Sequence, residues 1–214
     1  SAASDVAKRQ VFDKLIQAGF AVRCDKVNLA MKQAMYLGFL VGEGGTQPHP
    51  SKTKALLDMT IADMGTDPGA AARYAGMIGF YHKFVPGLHI ALAPFHELKS
   101  KGANAATIMR SLRFLAAFEY TKNKLATATA LARPDYTQPF IIDVDAASST
   151  GAGAVLAQLQ DKTDPTSLRP LAFWSRRFSG EERRYGVRDQ ECLGLVDSIE
   201  AWRQYVTAGR IVVR

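Results

Sequence analysis

Apolar positions fall into two regimes along the chain. Over residues 6–18, Val11, Phe12, Leu15 and Ile16 recur at helical spacing, and Gly19 stands where a C-terminal cap belongs. Ala21–Arg23 and Ala34–Val41 read as extended segments, and Gly42–Gly45 reads as a turn. Pro48, Pro50 and Ser51 introduce a short helix that ends near Asp58. Asp67-Pro68 pairs an N-cap residue with proline at the first helical position, so a helix is expected from there towards Lys83, where Pro86 and Gly87 stop it. Across 105–129, Ile108, Leu112, Leu115, Ala116, Phe118 and Leu125 keep mostly helical spacing. This first region is therefore expected to be largely helical.

The pattern changes after Arg133-Pro134-Asp135-Tyr136-Thr137-Gln138-Pro139, a turn-rich linker of the kind that separates domains. Phe140–Val144, Gly151–Gln158 and Leu171–Trp174 are short strand-like runs parted by polar turns. A long helical stripe follows at Leu193, Val196, Ile199, Trp202 and Val206, and Ile211–Val213 is again strand-like. The order is β-β-β-α-β. The reading is an α/β (α+β) chain in two parts, residues 1–135 and 136–214.

Composition narrows the class. With 47% hydrophobic and 22% charged residues, the sequence is globular in character. Cys24 and Cys192 stand far apart in no paired motif, which offers neither a disulfide framework nor a cysteine-rich zinc site and suits a reducing compartment. No apolar run is long enough to span a membrane, and the N-terminus has no apolar signal core, so an intracellular chain, cytoplasmic or nuclear, is expected. The absence of an initial Met and a last apolar run at Arg210–Arg214 read as a piece of a longer polypeptide. A net charge of +7 makes nucleic acid the first partner to consider, because phosphates reward clustered Lys and Arg through counterion release.

The chemistry centres on carboxylates. Strand alternation puts Phe140, Ile142 and Val144 on one face and Ile141, Asp143 and Asp145 on the other, so two acids about 7 Å apart sit in apolar company. Such charge asks for a cationic partner. Glu191 lies near the start of the helical stripe, four positions before Leu195, and leans towards the covered side. If that helix crosses the strand, an Asp and a Glu converge, and carboxylate oxygens suit Mg²⁺. The plainer reading stays open at this point. An Asp near a strand end and a Glu near a helix start are both ordinary.

A resemblance adds to this pattern. Phe140-Ile141-Ile142-Asp143-Val144-Asp145-Ala146 followed by Gly151-Ala152-Gly153-Ala154-Val155-Leu156 resembles the opening of the RNase H domain in gypsy-like long-terminal-repeat retroelement polyproteins. Arg169–Arg176 resembles its next strand, Phe178–Tyr185 its approach to the helix, and Asp189-Gln190-Glu191-Cys192-Leu193 the segment that supplies the family's catalytic Glu. Upstream, Ala117–Tyr136 is similar to the joint between reverse transcriptase and RNase H, Gly76–Pro86 to a thumb block, and Val11–Phe20 with Tyr36–Phe39 to the end of the palm and its primer-grip turn.

The resemblance implies that residues 1–135 are the end of the palm, thumb and connection, and 136–214 an RNase H-like domain. It further implies Asp145 as first metal-binding aspartate, Glu191 as catalytic glutamate, and Mg²⁺ or Mn²⁺ as cofactor for cleaving RNA in RNA–DNA hybrids by two-metal hydrolysis. The polymerase's Tyr-x-Asp-Asp element and the third RNase H aspartate are absent from these residues, so weak or no cleavage by the isolated chain is expected. The interval from Asp145 to Gly151 is one residue longer than the family pattern, which keeps Asp143 as a second candidate for the strand acid.

Further residues carry weaker signals. Arg176, Arg177 and Arg184, with Trp174, Phe178 and Tyr185 interleaved, suit a phosphate track or, equally, a solvated face paired to Glu181 and Glu182. Tyr36, Gly38 and Lys83 are expected at nucleic acid if the family roles carry over, although a core hairpin is the alternative for Tyr36–Phe39. His82, His89 and His96 are read as ordinary histidines because Pro86 and Pro94 interrupt any single helix that would align them. Tyr74, Phe80, Tyr81 and Phe84 are read as packing, and Cys192 as a small buried residue. Partners are thus a hybrid or other nucleic acid, and the rest of a polyprotein or a larger assembly. The second functional reading is a host-retained remnant without catalysis, serving as a basic binding or scaffold module.

Overall fold

A computed structural model describes residues 2–23, 27, 31–128, 130–147, 150–161, 164, 166–207 and 209–214; Cys24 and Thr129 lie outside them. The chain divides into two compact units, 1–34 and 35–214. The first holds α1 (Ala2–Gln17), closed by Gly19 at φ 75°, with Val11 and Ile16 exposed. Ala21–Arg23 forms no strand.

A three-stranded sheet follows in the chain, made of β1 (Gln33–Tyr36), β2 (Phe39–Gly42) and β3 (Gly45–Pro48), in that order. Leu37 and Gly38 both take positive φ, 50° and 85°, so the backbone reverses within two residues and glycine carries the more extreme value. The extended run expected over 34–41 is therefore a hairpin, and the Gly42–Gly45 turn leads into a strand the pattern did not announce. Nor is this hairpin core. Tyr36 and Leu37 are 66% and 72% exposed, and Phe39 turns inward to stack on Phe80 and Phe84.

Short helices follow: α2 (Pro50–Asp58), α3 (Ile61–Met64), α4 (Pro68–Gly79), α5 (Leu88–Ala91), α6 (Ala93–Glu97), α7 (Ala105–Met109) and α8 (Leu112–Ala126). Asp67 caps α4 by accepting from the N–H groups of Gly69 and Ala70. That helix stops at Gly79, before the expected Lys83, and a 3₁₀ turn at His82–Phe84 replaces its last turn. Ser111 caps α8 by accepting from Phe114 N–H, which splits the expected 105–129 helix in two. Tyr74, Phe95, Phe114 and Phe118 fill a first core, where the Tyr74 hydroxyl and Thr121 Oγ1 lie 2.8 Å apart.

β4 (Phe140–Ala147), β5 (Gly151–Leu159) and β6 (Leu168–Arg177) form an antiparallel meander. After a 3₁₀ turn at Glu182–Arg184, α9 (Val187–Ala201) and α10 (Arg203–Val206) cross the sheet to β7 (Ile211–Val213), parallel to β4. The sheet order is β6-β5-β4-β7, and the β-β-β-α-β expectation holds. Phe140, Ile142, Leu156, Ala172, Trp202 and Val206 make a second core under α9 and α10. Phe173, on the opposite face of β6, packs into the first core.

Candidate functional site

β4 fixes where its acids stand. Phe140, Ile142 and Val144 belong to the core beneath α9, so alternation sends Asp143 and Asp145 to the other face, where they line a cleft with Pro86, Gly87 and Phe173. β7 pairs with β4 only over Phe140–Ile142, and the acids lie just beyond that pairing. Asp143 is engaged: Arg214 Nε and Nη2 donate to its two carboxylate oxygens at 2.8 and 2.9 Å, and this fork holds the Asp143 carboxyl below its ordinary range. The cation that the sequence asked for is Arg214. Asp145 is exposed, and its carboxylate makes no hydrogen bond or ion pair with another described residue.

Glu191 rides on α9, whose approach to the sheet depends on Gly194. A Cβ built there would meet Ala152 Cβ at 2.7 Å and Val144 Cγ1 at 3.3 Å, so only glycine lets the helix lie this close over β4 and β5. The buried positions of α9 are Gln190, Gly194 and Ser198, and Val196 is 62% exposed. Of the expected stripe, Ile199, Trp202 and Val206 pack with the second core while Val196 points outward, and small and polar residues make the closest contact of α9 with the sheet. Asp197 marks one flank of α9 and is paired to β6. With 3.6 residues per turn, Glu191 falls on the other flank, towards β4. Glu191 is exposed and its carboxylate, like that of Asp145, makes no hydrogen bond or ion pair with another described residue.

Of the two readings of Arg176, the structure shows the pairing with a neighbouring acid and not a free phosphate contact. Its Nη1 and Nη2 donate to Glu182 at 2.9 and 3.2 Å, and Nη2 lies 2.5 Å from Asp197 Oδ2. One guanidinium therefore ties β6, the 3₁₀ turn and α9 together. It also accounts, with the Ser179 N–H, for a Glu182 carboxyl held down to about 2. Arg177 and Arg184 remain available at the surface, on β6 and in the 3₁₀ turn.

With this geometry in view, residues 114–213 match a family described as the RNase H-like domain found in reverse transcriptase. The match covers a little under half of the chain. Over nearly its whole length the chain is also similar to retroelement polyproteins. It is 28% identical over 203 residues to a retrovirus-related Pol polyprotein from transposon 297 of Drosophila melanogaster, covering 95% of this chain and 18% of that protein. The Pol polyprotein from transposon gypsy of the same organism is 25% identical over 206 residues, covering 92% and 19%. The chain thus spans about a fifth of the length of these relatives. Among solved structures, a foamy viral protease-reverse transcriptase in complex with RNA/DNA hybrid superposes with a TM-score of 0.78 at 17% identity, over 100% of this chain and 28% of that one. A related "dRH" structure in complex with ds DNA gives 0.77 at 18%, over 99% and 36%. At such identities the likeness is one of fold. The resemblance to gypsy-like polyproteins and the expected fold class both hold.

Within the RNase H-like domain, the donor chemistry suits Mg²⁺ in part. Asp145 and Glu191 are hard oxygen donors without partners, and Mg²⁺ is commonly held by one or two carboxylates with substrate phosphate completing its shell. Asp143 is withdrawn by Arg214. Among the described residues no group of three His, Cys, Asp or Glu side chains stands ready to hold a metal ion. By the same alternation Asp145 looks away from the face that α9 covers, so the expected convergence of Asp145 and Glu191 is not seen.

The remaining candidates resolve separately. Gly38 is the turn glycine described above, Tyr36 is exposed beside it, and Lys83 lies on the rim of a second cleft with Phe39, Phe80 and Arg133. The His82 and His89 rings stand 6.1 Å apart, and burial holds the His82 imidazole below its ordinary range despite its hydrogen bond to the Gly79 carbonyl. Cys192 is exposed, contrary to expectation, because it lies on the solvent side of α9. No described helix is long and apolar enough to cross a membrane. Sequence reasoning passed over the pairing roles of Arg214, Asp197 and Arg113; isolated charges carry no periodic signal, and their pairing arises from topology.

Proposed function

We propose that this chain is the end of the palm, thumb and connection (1–135) and RNase H-like domain (136–214) of a retroelement reverse transcriptase. In this reading it engages RNA–DNA hybrid, and Asp145 and Glu191 act on the RNA strand with Mg²⁺ or Mn²⁺. The observation that carries it is the match of residues 114–213 to the RNase H-like domain of reverse transcriptase, on a fold whose β4 bears Asp145 and whose crossover helix bears Glu191. The relatives in foamy virus that hold DNA and RNA/DNA hybrid support the choice of substrate.

Mg²⁺ at these acids would supply an activated water and neutralise charge on the leaving oxygen of a phosphodiester. The chain's own residues do the positioning. Gly194 sets the depth of α9, the Arg176 junction fixes its lie on β6, and Arg177 and Arg184 offer phosphate contacts beside it. With two carboxylates in place of three, cleavage by this chain is expected to be slow or absent.

Two measurements test the proposal. Titration calorimetry with Mn²⁺ should show binding that weakens in Asp145→Asn and Glu191→Gln; an unchanged isotherm would sink the metal assignment. A fluorescent RNA–DNA hybrid assay in Mg²⁺ should show at most slow cleavage, with any residual rate lost in both variants. Robust wild-type cleavage, or a residual rate that survives Asp145→Asn, would overturn it.

A further inference from the structure

On the face of α8 that looks towards α5 and α6, Arg113, Ala116, Ala117 and Tyr120 follow one another at steps of three and four, so they form one stripe. Ala91 of α5 and Pro94 of α6 face this stripe, and Arg177 and Arg183 close it from the RNase H-like side. The result is a cavity of about 560 Å³ lined by apolar side chains, one aromatic ring and three arginines. Its size falls within the range of about 300–1,000 Å³ found for small-ligand sites.

The charges are only partly spent. Arg113 Nη1 lies 3.0 Å from Glu97, and Arg183 donates through Nε to the Phe178 carbonyl. The Arg177 guanidinium makes no ion pair or hydrogen bond with another described residue, and no carboxylate lines the cavity. Tyr120 is tethered by its hydroxyl to the Pro86 carbonyl at 2.9 Å, which fixes its ring at the wall. An anion alone would find the arginines but leave the apolar walls unused. An uncharged ring would do the reverse.

We propose that this cavity binds a nucleoside monophosphate group, its phosphate on Arg113, Arg177 and Arg183 and its base against Tyr120 and the alanine wall. Guanidinium forks match phosphate oxygens, and aromatic faces accept any base, so the site should be sensitive to phosphate and indifferent to base identity. The group can come as a free mononucleotide or as the 5′-phosphorylated end of a strand. The proposal does not depend on hydrolysis at Asp145 and Glu191, and no cleavage is read in its test.

The test is calorimetric titration of the whole chain with adenosine monophosphate, inorganic phosphate and adenosine. The monophosphate is expected to bind at least tenfold more tightly than either of the others. Arg177→Ala should weaken it about tenfold. Ala116→Trp, at an exposed helix position, fills the cavity without touching charge and should weaken it by at least as much, while circular dichroism confirms that the fold is kept. Competition then separates the sources: displacement by a 5′-phosphorylated oligonucleotide but not by its 5′-hydroxyl form assigns a strand end, and displacement by neither assigns a free nucleotide. Equal binding of inorganic phosphate, no binding of the monophosphate at millimolar concentration, or equal displacement by both oligonucleotides would each overturn the proposal. If Ala116→Trp fails to fold, Arg177→Ala decides alone, and an unchanged affinity there rejects the site.

Discussion

At the residue scale, the position that sets the geometry of the site is a glycine. A Cβ at 194 would have to push Ala152 away from 2.7 Å, and Ala152 is fully buried. Gly194→Val gains a little helix propensity, less than about 1 kcal/mol, but overpacking costs about 1–3 kcal/mol, so the variant is expected to be less stable by about 2 kcal/mol in urea unfolding. An unchanged midpoint would mean that α9 does not lie this close. Arg176→Ala should be costlier than an ordinary surface change. It leaves the Asp197 carboxylate, which has a buried oxygen, without its cation, at about 1–3 kcal/mol. Neither residue was legible for this role. Hydrophobic periodicity marks where bulk is buried and says nothing of where backbones touch, so it placed Val196 inside and passed over Gly194 and Ser198. Asp143 was different: the sequence asked for a cation beside it, and the fold supplies Arg214 from the neighbouring chain end of β7.

At the element scale, the Glu182 carboxylate gives the 3₁₀ turn a pH signature. Hydrogen bonds from Arg176 and from the Ser179 N–H hold its folded pKa at about 2, well below the ordinary glutamate range. A depressed carboxyl contributes stability that is present above the unfolded value and lost as pH falls through the folded one. The difference in urea midpoint between the wild type and Glu182→Gln should therefore be constant above about pH 5 and shrink between about pH 4.5 and pH 2. A difference that stays flat through that window would show that the Arg176 junction is not formed in solution. The elements were largely readable where turn residues bound them, as for β4, β5, α2 and the start of α4. They were misread where a side chain overrode the pattern. Ser111 caps α8 inside a stretch whose apolar spacing runs on unbroken, and Ser111→Ala is expected to cost about 1 kcal/mol for that reason, read by thermal or chemical unfolding.

At the scale of the whole molecule, the sheet is covered on both sides, and that coupling was not readable from either half alone. α9 and α10 cover one face. On the other, Phe173 enters the core of Tyr74, Phe95, Phe114 and Phe118, and the His89 N–H donates to Ser175 Oγ at 3.0 Å. Two cores built from separate stretches of chain thus share β6, and residues 35–214 form one compact unit despite the turn-rich linker within it. A shared strand predicts shared unfolding. Near-ultraviolet circular dichroism, weighted by the aromatic first core, and fluorescence of Trp174 and Trp202, which sit with the second, should report coincident transitions in denaturant. Phe173→Ala removes the side chain that bridges the cores, costs about 3 kcal/mol by cavity formation, and should let the two signals separate, since each core then unfolds on its own contacts. Signals that already diverge in the wild type would mean that the linker, and not β6, governs how the halves communicate; signals that remain coincident in the variant would place the coupling in the Ser175–His89 contact and the backbone pairing around it.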